Sequence, residues 1–183
     1  PEMSDAELMA AETKRSGRFS QAKALLEHLK QEGHCNESVP VLLGGDFNCP
    51  SHLDWTKDTQ RVFARRRALD LPVSQLVLEA GFEDLFRKIH PNPVQHPGIT
   101  WSPMYRGSIS AEEGTPQSFE RIDRLYVHKR NDDLTSRLVP IAAQVLPVVW
   151  ESDQIPAEAR VFPSDHGAVV IDFEWISTDP MPK

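Results

Sequence analysis

The sequence predicts a domain of the α/β class, and four segments carry that prediction. Apolar residues recur at helical spacing from Phe19 to Leu29, which is typical of an amphipathic helix. Residues 39–45 are apolar without alternation, as in a strand that is buried on both faces. Two more strand-like segments follow at residues 120–128 and 168–173. The 183 residues, 39% of them hydrophobic, are enough to bury a core, and no apolar run approaches a membrane span.

Capping residues and glycines predict where the helices begin and end. Ser16 is a candidate cap for the first helix, and Gly33 marks its end. A second, short helix is expected over residues 73–80, because Pro72 stands at its start and Gly81 follows it.

Prolines and polar runs predict the connections. Residues 87–98 contain three prolines and are expected to form an irregular loop whose histidines lie at the surface. Residues 108–118 are polar and contain glycine, which predicts a mobile loop. Pro140 and Pro147 are expected to break residues 137–150 into strand pieces at a sheet edge.

The first functional motif follows the apolar strand. Gly44 and Gly45 let the backbone pass close to something bulky, and Asp46 and Asn48 come next. In extended geometry these two polar side chains share a face, while Phe47 points into the core. A carboxylate can take a proton from water and an amide can donate to a phosphate oxygen. The alternative is an ordinary Asp-Phe-Asn turn after a strand.

Two later motifs favour chemistry over an ordinary turn. Asp123 interrupts an apolar strand, where a carboxylate is costly unless it is paired. His166 is its candidate partner, because a carboxylate fixes the tautomer of a histidine and raises its affinity for a proton. Asp165 diverges from His166 and is a candidate ligand for a divalent metal ion. The alternative for Asp165 and His166 is a polar turn that leads into the next strand.

The chain resembles the endonuclease/exonuclease/phosphatase superfamily, which has the DNase I-like fold. Members carry a Gly-Asp-x-Asn motif, matched by residues 45–48, a strand Asp, matched by Asp123, and a terminal Ser-Asp-His, matched by residues 164–166. An aromatic-Thr-Trp element precedes the strand Asp, and residues 99–101 match it except at Ile99. The resemblance implies a four-layered α/β sandwich.

The resemblance also implies a role for each motif residue. Asp46 orients or deprotonates the attacking water, and Asn48 contacts the phosphoryl group. Asp123 holds His166, which stabilises the pentavalent transition state. Asp165 contributes to the metal site, with Asp46 and Asn48 as further ligands. The expected ion is Mg²⁺, with Mn²⁺ as the alternative, because the candidate ligands are oxygens and a single imidazole.

The agreement in order and spacing covers residues 18–176, and the beginning of the chain departs from the family. The superfamily places a strand Asn and a metal-binding Glu in its N-terminal half, and residues 1–17 form a polar lead-in without either element. The chain is therefore expected to be the C-terminal part of a larger domain, with a missing N-terminal half as its partner and residues 177–183 as a tail.

The charge bears on the substrate. A net charge of −7 gives little of the counterion release on which binding to long nucleic acids depends. The main basic cluster, at residues 65–67, is interpreted as a solvated helix face. These observations favour a small or lipid-derived phosphate ester, with Trp55, Trp101 and Tyr105 suited to a compact pocket. A DNA or RNA nuclease is the alternative, because bases stack on the same aromatics.

Four residues near the motifs are candidates for substrate binding: Thr100, Trp101, His52 and Trp55. For His52 and Trp55, ordinary packing or a loop hydrogen bond is an equal alternative. A non-catalytic interaction module that retains the fold is the second function class.

Overall fold

The computed structural model describes residues 3–36, 38–63, 66–101, 119–146 and 164–177. Its helices are α1 (Asp5–Ala10, continued by a π-helical turn at Ala11–Arg15), α2 (Arg18–Gln31), α3 (Lys57–Val62), α4 (Pro72–Glu79) and α5 (Leu85–Ile89). Its strands are β1 (Leu42–Asp46), β2 (Phe82–Asp84), β3 (Asp123–His128), β4 (Ser136–Leu146) and β5 (Ala168–Ser177). No helix within these residues is long and apolar enough to cross a bilayer.

The polar N-terminal segment is helical. The Glu7 backbone N–H donates to Ser4 Oγ at 3.3 Å, and the Ser4 backbone N–H donates to the Glu7 carboxylate at 2.8 Å, which forms a capping box. α2 begins directly after Gly17, at φ +72°, and Gly33, at φ +74°, follows its last turn. Glycine adopts this left-handed region without steric cost, so the two glycines separate α2 from its neighbours.

A three-stranded antiparallel sheet positions the motifs. Its order is β1–β3–β2, and its register places Asp46 of β1 opposite Asp123 of β3. The two carboxylates predicted to be functional therefore lie side by side at one end of the β1–β3 pair. α2 and α4 pack on the sheet around a buried core, formed by Leu26, Val77, Phe82 and Tyr126.

β1 is exposed, so the prediction that residues 39–45 are buried on both faces is wrong. Leu42 is 44% exposed, Leu43 is half-buried, and the strand begins only at Leu42. The physical reason is that, among the described residues, one face of β1 packs on the core through Leu43, whereas Leu42 on the other face remains largely uncovered.

β4 and β5 form a separate two-stranded antiparallel sheet. The predicted break at Pro140 is wrong, because β4 runs through it as one continuous strand of 11 residues. A β-bulge between Pro140 and Ala142 interrupts the pairing at that point, and bulges are among the places where a strand accommodates proline. Pro147 and residues 108–118 lie outside the described residues.

A buried network of charges joins the loops to the sheet. Asp54 accepts hydrogen bonds from Arg87 Nε at 2.6 Å and from Arg121 Nε at 3.0 Å, and Arg121 also donates to Asp84 at 3.1 Å. Arg87 also donates to two main-chain oxygens in residues 90–96. These hydrogen bonds tie the proline-containing loop to the buried network. The network fixes the segment before β3 against the loop that follows β1.

The two described arginines of the basic cluster, Arg66 and Arg67, are not on a solvated helix face. Arg66 is 4% exposed, and its Nη2 lies 3.6 Å from the carboxylate of buried Glu120. Arg67 pairs with Asp5 at 2.8 Å, and the first arginine of the cluster lies outside the described residues. The prediction failed because the partner of Arg66 is more than fifty residues away in the sequence.

Candidate active site

Asp46 and Asn48 meet through a tight turn at the end of β1. The Asn48 backbone N–H donates to Asp46 Oδ1 at 2.7 Å, and Asn48 Nδ2 donates to Asp46 Oδ2 at 2.8 Å. Asn48 has φ of +51°, so the extended geometry predicted for this pair is wrong. Asparagine tolerates this left-handed conformation better than most residues, and the turn still places the carboxylate and the amide in contact. Phe47 packs edge-on against Tyr126, in the core.

Asp123 and His166 form the second pair of the site. His166 Nδ1 donates to Asp123 Oδ2 at 2.9 Å. Burial alone would lower the pKa of His166, but the hydrogen bond to Asp123 and the charges of Asp123, Asp46 and Asp165 outweigh it and raise the pKa above its ordinary value. The imidazole is thereby oriented and biased toward its charged form.

Thr100 positions this pair. Its Oγ1 accepts from the backbone N–H groups of Ile122 and Asp123, each at 3.0 Å, and its carbonyl oxygen accepts from Gly167 N–H at 2.6 Å. Thr100 is fully buried and is absent from the cavity lining, which is at odds with a direct role in substrate binding. One residue thus links the start of β3 to the segment that carries His166.

Trp101 lies beside the histidine. It forms isolated β-bridges with both Glu120 and His166, and its ring centroid is 4.8 Å from that of His166. Its side chain lines the cavity that contains His166 and Asn48.

The site opens into a cavity of about 520 Å³. Predicted residues that line it are Asn48, Trp101, Asp165 and His166. Asp46 lines an adjoining cavity of about 200 Å³. The structure therefore brings the motif residues to one region of the surface.

His52 and Trp55 do not line the cavity. His52 Nδ1 lies 2.7 Å from Ser74 Oγ, whose oxygen also accepts from the His52 backbone N–H at 2.9 Å. Trp55 Nε1 donates to Glu120 Oε2 at 3.1 Å. His52 thus makes a loop hydrogen bond, and Trp55 contacts Glu120, which lines the cavity.

Sequence reasoning missed two charged residues that line the cavity, Arg18 and Glu120. Burial raises the pKa of Glu120, and the charge of Arg66 and the Trp55 hydrogen bond offset this only in part. The signal in the sequence was the position of Glu120 directly before the Arg121–Arg124 motif. Nothing in the sequence marked Arg18 as a site residue, because charged residues are common at helix starts that bind no ligand.

The donor set of the site fits a divalent metal ion. Single ligand atoms of Asp46, Asp123 and His166 all lie within 4.8 Å of one another, and the Asp46 side chain is exposed. Because Nδ1 of His166 already contacts Asp123, the oxygens of Asp46 are better placed to bind an ion. Carboxylate oxygens are the ligands that Mg²⁺ and Mn²⁺ prefer. Asp165 lines the cavity but does not belong to this group of three.

Known proteins resemble the chain in sequence and in fold. No family model matches it. A Caenorhabditis elegans protein, Uncharacterized protein F14F9.5, is 34% identical over 141 residues, which are 76% of this chain and 42% of the relative. The chain therefore spans less than half the length of this curated relative.

Two solved structures are also similar. An AP endonuclease from Archaeoglobus fulgidus superposes with a TM-score of 0.52 at 20% identity, over 85% of this chain and 52% of that one. Truncated Caenorhabditis elegans TDP2 gives a TM-score of 0.44 at 20% identity, over 85% and 49%.

The chain has a mixed α/β fold of the DNase I-like kind. This follows from its similarity in fold to the AP endonuclease and confirms the predicted α/β class. The four layers of the sandwich, and the assignment of the chain to the C-terminal part of a domain, stay predictions.

Proposed function

We propose that this chain carries the greater part of the active site of a metal-dependent phosphoester hydrolase. The observation that supports it most is the convergence of Asp46, Asp123 and His166, whose ligand atoms lie within 4.8 Å of one another. These residues come from three separate motifs, and a carboxylate, an amide and a carboxylate-bound imidazole are the groups that phosphate hydrolysis needs.

The side chains of the site have distinct tasks in the proposed reaction. Asp46 accepts a proton from the attacking water or orients it, and Asn48 holds Asp46 in place while its amide contacts the phosphoryl group. His166, kept protonated by Asp123, donates to the phosphoryl oxygens as negative charge develops on them. Trp101 packs against the imidazole and limits its motion.

A divalent ion would be held by the oxygens of Asp46 and Asn48, with Asp165 as a further ligand. When bound, Mg²⁺ or Mn²⁺ supplies Lewis-acid stabilisation of charge on the phosphate. The exposed carboxylate of Asp46 is accessible to such an ion.

The proposed substrate is a small or lipid-derived phosphate ester. A cavity of about 520 Å³ is of the size that takes a compact ligand. The net charge of −7 also argues against a protein that tracks a long polyanion. The second candidate is a DNA or RNA nuclease, which the fold shared with an AP endonuclease favours.

We also propose that the remainder of the domain completes the site and supplies its metal-binding Glu. Two observations support this: β1 has an unpaired edge in the described part of the chain, and the chain matches 52% of the AP endonuclease. A non-catalytic interaction module is the alternative, and the substrate panel distinguishes it from a hydrolase.

A substrate panel tests the proposal. The full-length protein is assayed with Mg²⁺ at matched salt against plasmid DNA, single-stranded RNA, nucleotides, phosphoinositides and simple phosphodiesters. We expect turnover of a small ester to exceed that of the polymers, and His166→Ala to lower it on the order of 10²-fold or more. His28→Ala is the matched control, because His28 is exposed on α2.

Each other outcome has a definite meaning. Efficient cleavage of plasmid or RNA, with weak turnover of every small ester, would establish the nuclease instead. No turnover of any substrate by a folded full-length protein would favour the interaction module.

A further inference from the structure

Arg18 lies where two cavities meet near the end of β1. It lines the cavity that contains Asn48, Asp165 and His166, and also the adjoining cavity that contains Asp46. It is the first residue of α2, and its side chain is 36% exposed. Among the described residues that line the two cavities, Arg18 is the only arginine or lysine.

Three acidic groups at or beside the cavities, Glu120, Asp123 and Asp46, already have partners. Glu120 lies 3.6 Å from Arg66, and Asp123 accepts from His166 at 2.9 Å. Both oxygens of Asp46 accept hydrogen bonds from Asn48. Carboxylates still outnumber cations here, so an anionic ligand needs a fixed positive charge to enter.

Arg18 is only loosely held by its own partner. Its Nη1 lies 3.6 Å from Glu12 Oε1, which is too long for a hydrogen bond. Within the described residues the guanidinium makes no hydrogen bond, so its donors are available. Glu12 is poorly satisfied as well, since its Oε2 is buried without a hydrogen-bond partner among those residues.

We propose that Arg18 binds a second anionic group of the substrate, so that the site prefers phosphate esters that carry one further phosphate. This inference rests on the proposed hydrolase function and narrows its substrate class. A guanidinium presents two parallel N–H donors that match the oxygens of a phosphate. Glu12 competes with that phosphate for the guanidinium and sets the strength of the preference.

Equilibrium binding tests the inference without turnover. Thymidine 3′,5′-bisphosphate and thymidine 5′-monophosphate are titrated into the full-length protein by calorimetry. Arg18→Gln is expected to weaken bisphosphate binding roughly 10- to 100-fold, the range of a charge-assisted hydrogen bond, and monophosphate binding much less. Arg18→Lys should restore part of the preference. Arg15→Gln is the matched control, because Arg15 is exposed and donates to a main-chain oxygen.

Glu12→Gln separates ligand binding from a structural role. If Arg18 binds the second phosphate, removing its competitor should strengthen bisphosphate binding, which is opposite in sign to Arg18→Gln. If Arg18 only ties α2 to the preceding turn, both variants should lower the melting temperature and leave the ratio of the two affinities unchanged. That result would overturn the inference.

Hydrolysis of a dithymidine phosphodiester with and without a terminal phosphate separates this inference from the proposed function. If the wild type cleaves neither ester but its bisphosphate preference depends on Arg18, the hydrolase proposal fails and the binding role stands. If it cleaves both equally, and Arg18→Gln changes neither, the hydrolase proposal stands and the role of Arg18 is refuted.

Discussion

Nδ1 of His166 lies 2.9 Å from Oδ2 of Asp123, although 43 residues separate the two in the sequence. Thr100 builds this contact from both sides, because it binds the backbone of Asp123 through its hydroxyl and the backbone of Gly167 through its carbonyl. Because Nδ1 is occupied by Asp123, the other ring nitrogen, Nε2, is the one that can interact with the phosphate in the proposed reaction. The orientation of the histidine is therefore set by the sheet rather than by a loop.

Replacing Asp123 by Asn should uncouple the histidine from this support. We expect Asp123→Asn to lower the rate of phosphoester hydrolysis on the order of 10²-fold, because the imidazole loses both its orientation and the charge that favours its protonated form. Steady-state kinetics on the full-length protein measures this loss. Asp172→Asn, at an exposed position of β5, is the control and should leave the rate unchanged. An equal loss in both variants would contradict the assignment.

Thr100→Val should reduce stability and activity together. Valine has a similar shape but cannot accept the two backbone N–H groups that Thr100 Oγ1 now accepts, and each buried unsatisfied donor costs about 1–3 kcal/mol. Urea unfolding and hydrolysis rates measure the two effects. Thr100→Ser keeps the hydroxyl and should retain most of both. A fully stable valine variant would show that the two hydrogen bonds do not support the site.

The buried charges beneath the site should make stability sensitive to acid. Burial alone would raise the pKa of Asp54, but Arg121 and Arg87 outweigh it and hold the pKa below its ordinary value. A carboxyl with a lowered folded-state pKa stabilises the protein above its unfolded-state pKa, near 4. That stability is lost as the pH falls from there through the folded-state pKa.

Urea midpoints between pH 7 and pH 3 measure the effect. Asp54→Asn should lower stability at neutral pH by about 3–5 kcal/mol, because it leaves buried arginines without their partner, and should flatten the loss in acid. Asp58→Asn is the control, because that side chain is 75% exposed. An unchanged acid profile in Asp54→Asn would contradict the role of the network.

The chain expressed alone should be aggregation-prone or inactive. β1 has an unpaired edge within the described residues, and Leu42 on it is 44% exposed. An open apolar edge strand favours association. Size-exclusion chromatography and the hydrolysis assay test this. A monomeric, cooperatively melting and active 183-residue protein would show that no further part of the domain is needed.

The sequence predicted helices α2 and α4 because their signals are local: helical periodicity, Pro72 and the glycines at the helix ends. Ser16 does not cap α2, whose N-cap is Gly17. The Asp123–His166 pair spans 43 residues and was expected because a strand carboxylate is costly unless it is paired. Long-range partners were not predictable from local pattern. Arginine is usually found at the protein surface. The burial of Arg66 is explained by its ion pair with Glu120, which is distant in the sequence. Thr100 was expected to contact substrate because it lies near the motifs in the sequence. Its hydrogen bonds to the start of β3 could not be read from its sequence neighbours.

Dependence of hydrolysis on both a divalent cation and His166 is the central claim, and one assay addresses it. Initial rates of the full-length wild type and His166→Ala are measured on the best small ester of the panel, with Mg²⁺ and with excess EDTA. We expect EDTA to abolish the wild-type activity, restored Mg²⁺ to recover it, and His166→Ala to be slower by on the order of 10²-fold or more. Activity that persists in EDTA, or a His166→Ala rate equal to the wild-type rate, would contradict the account.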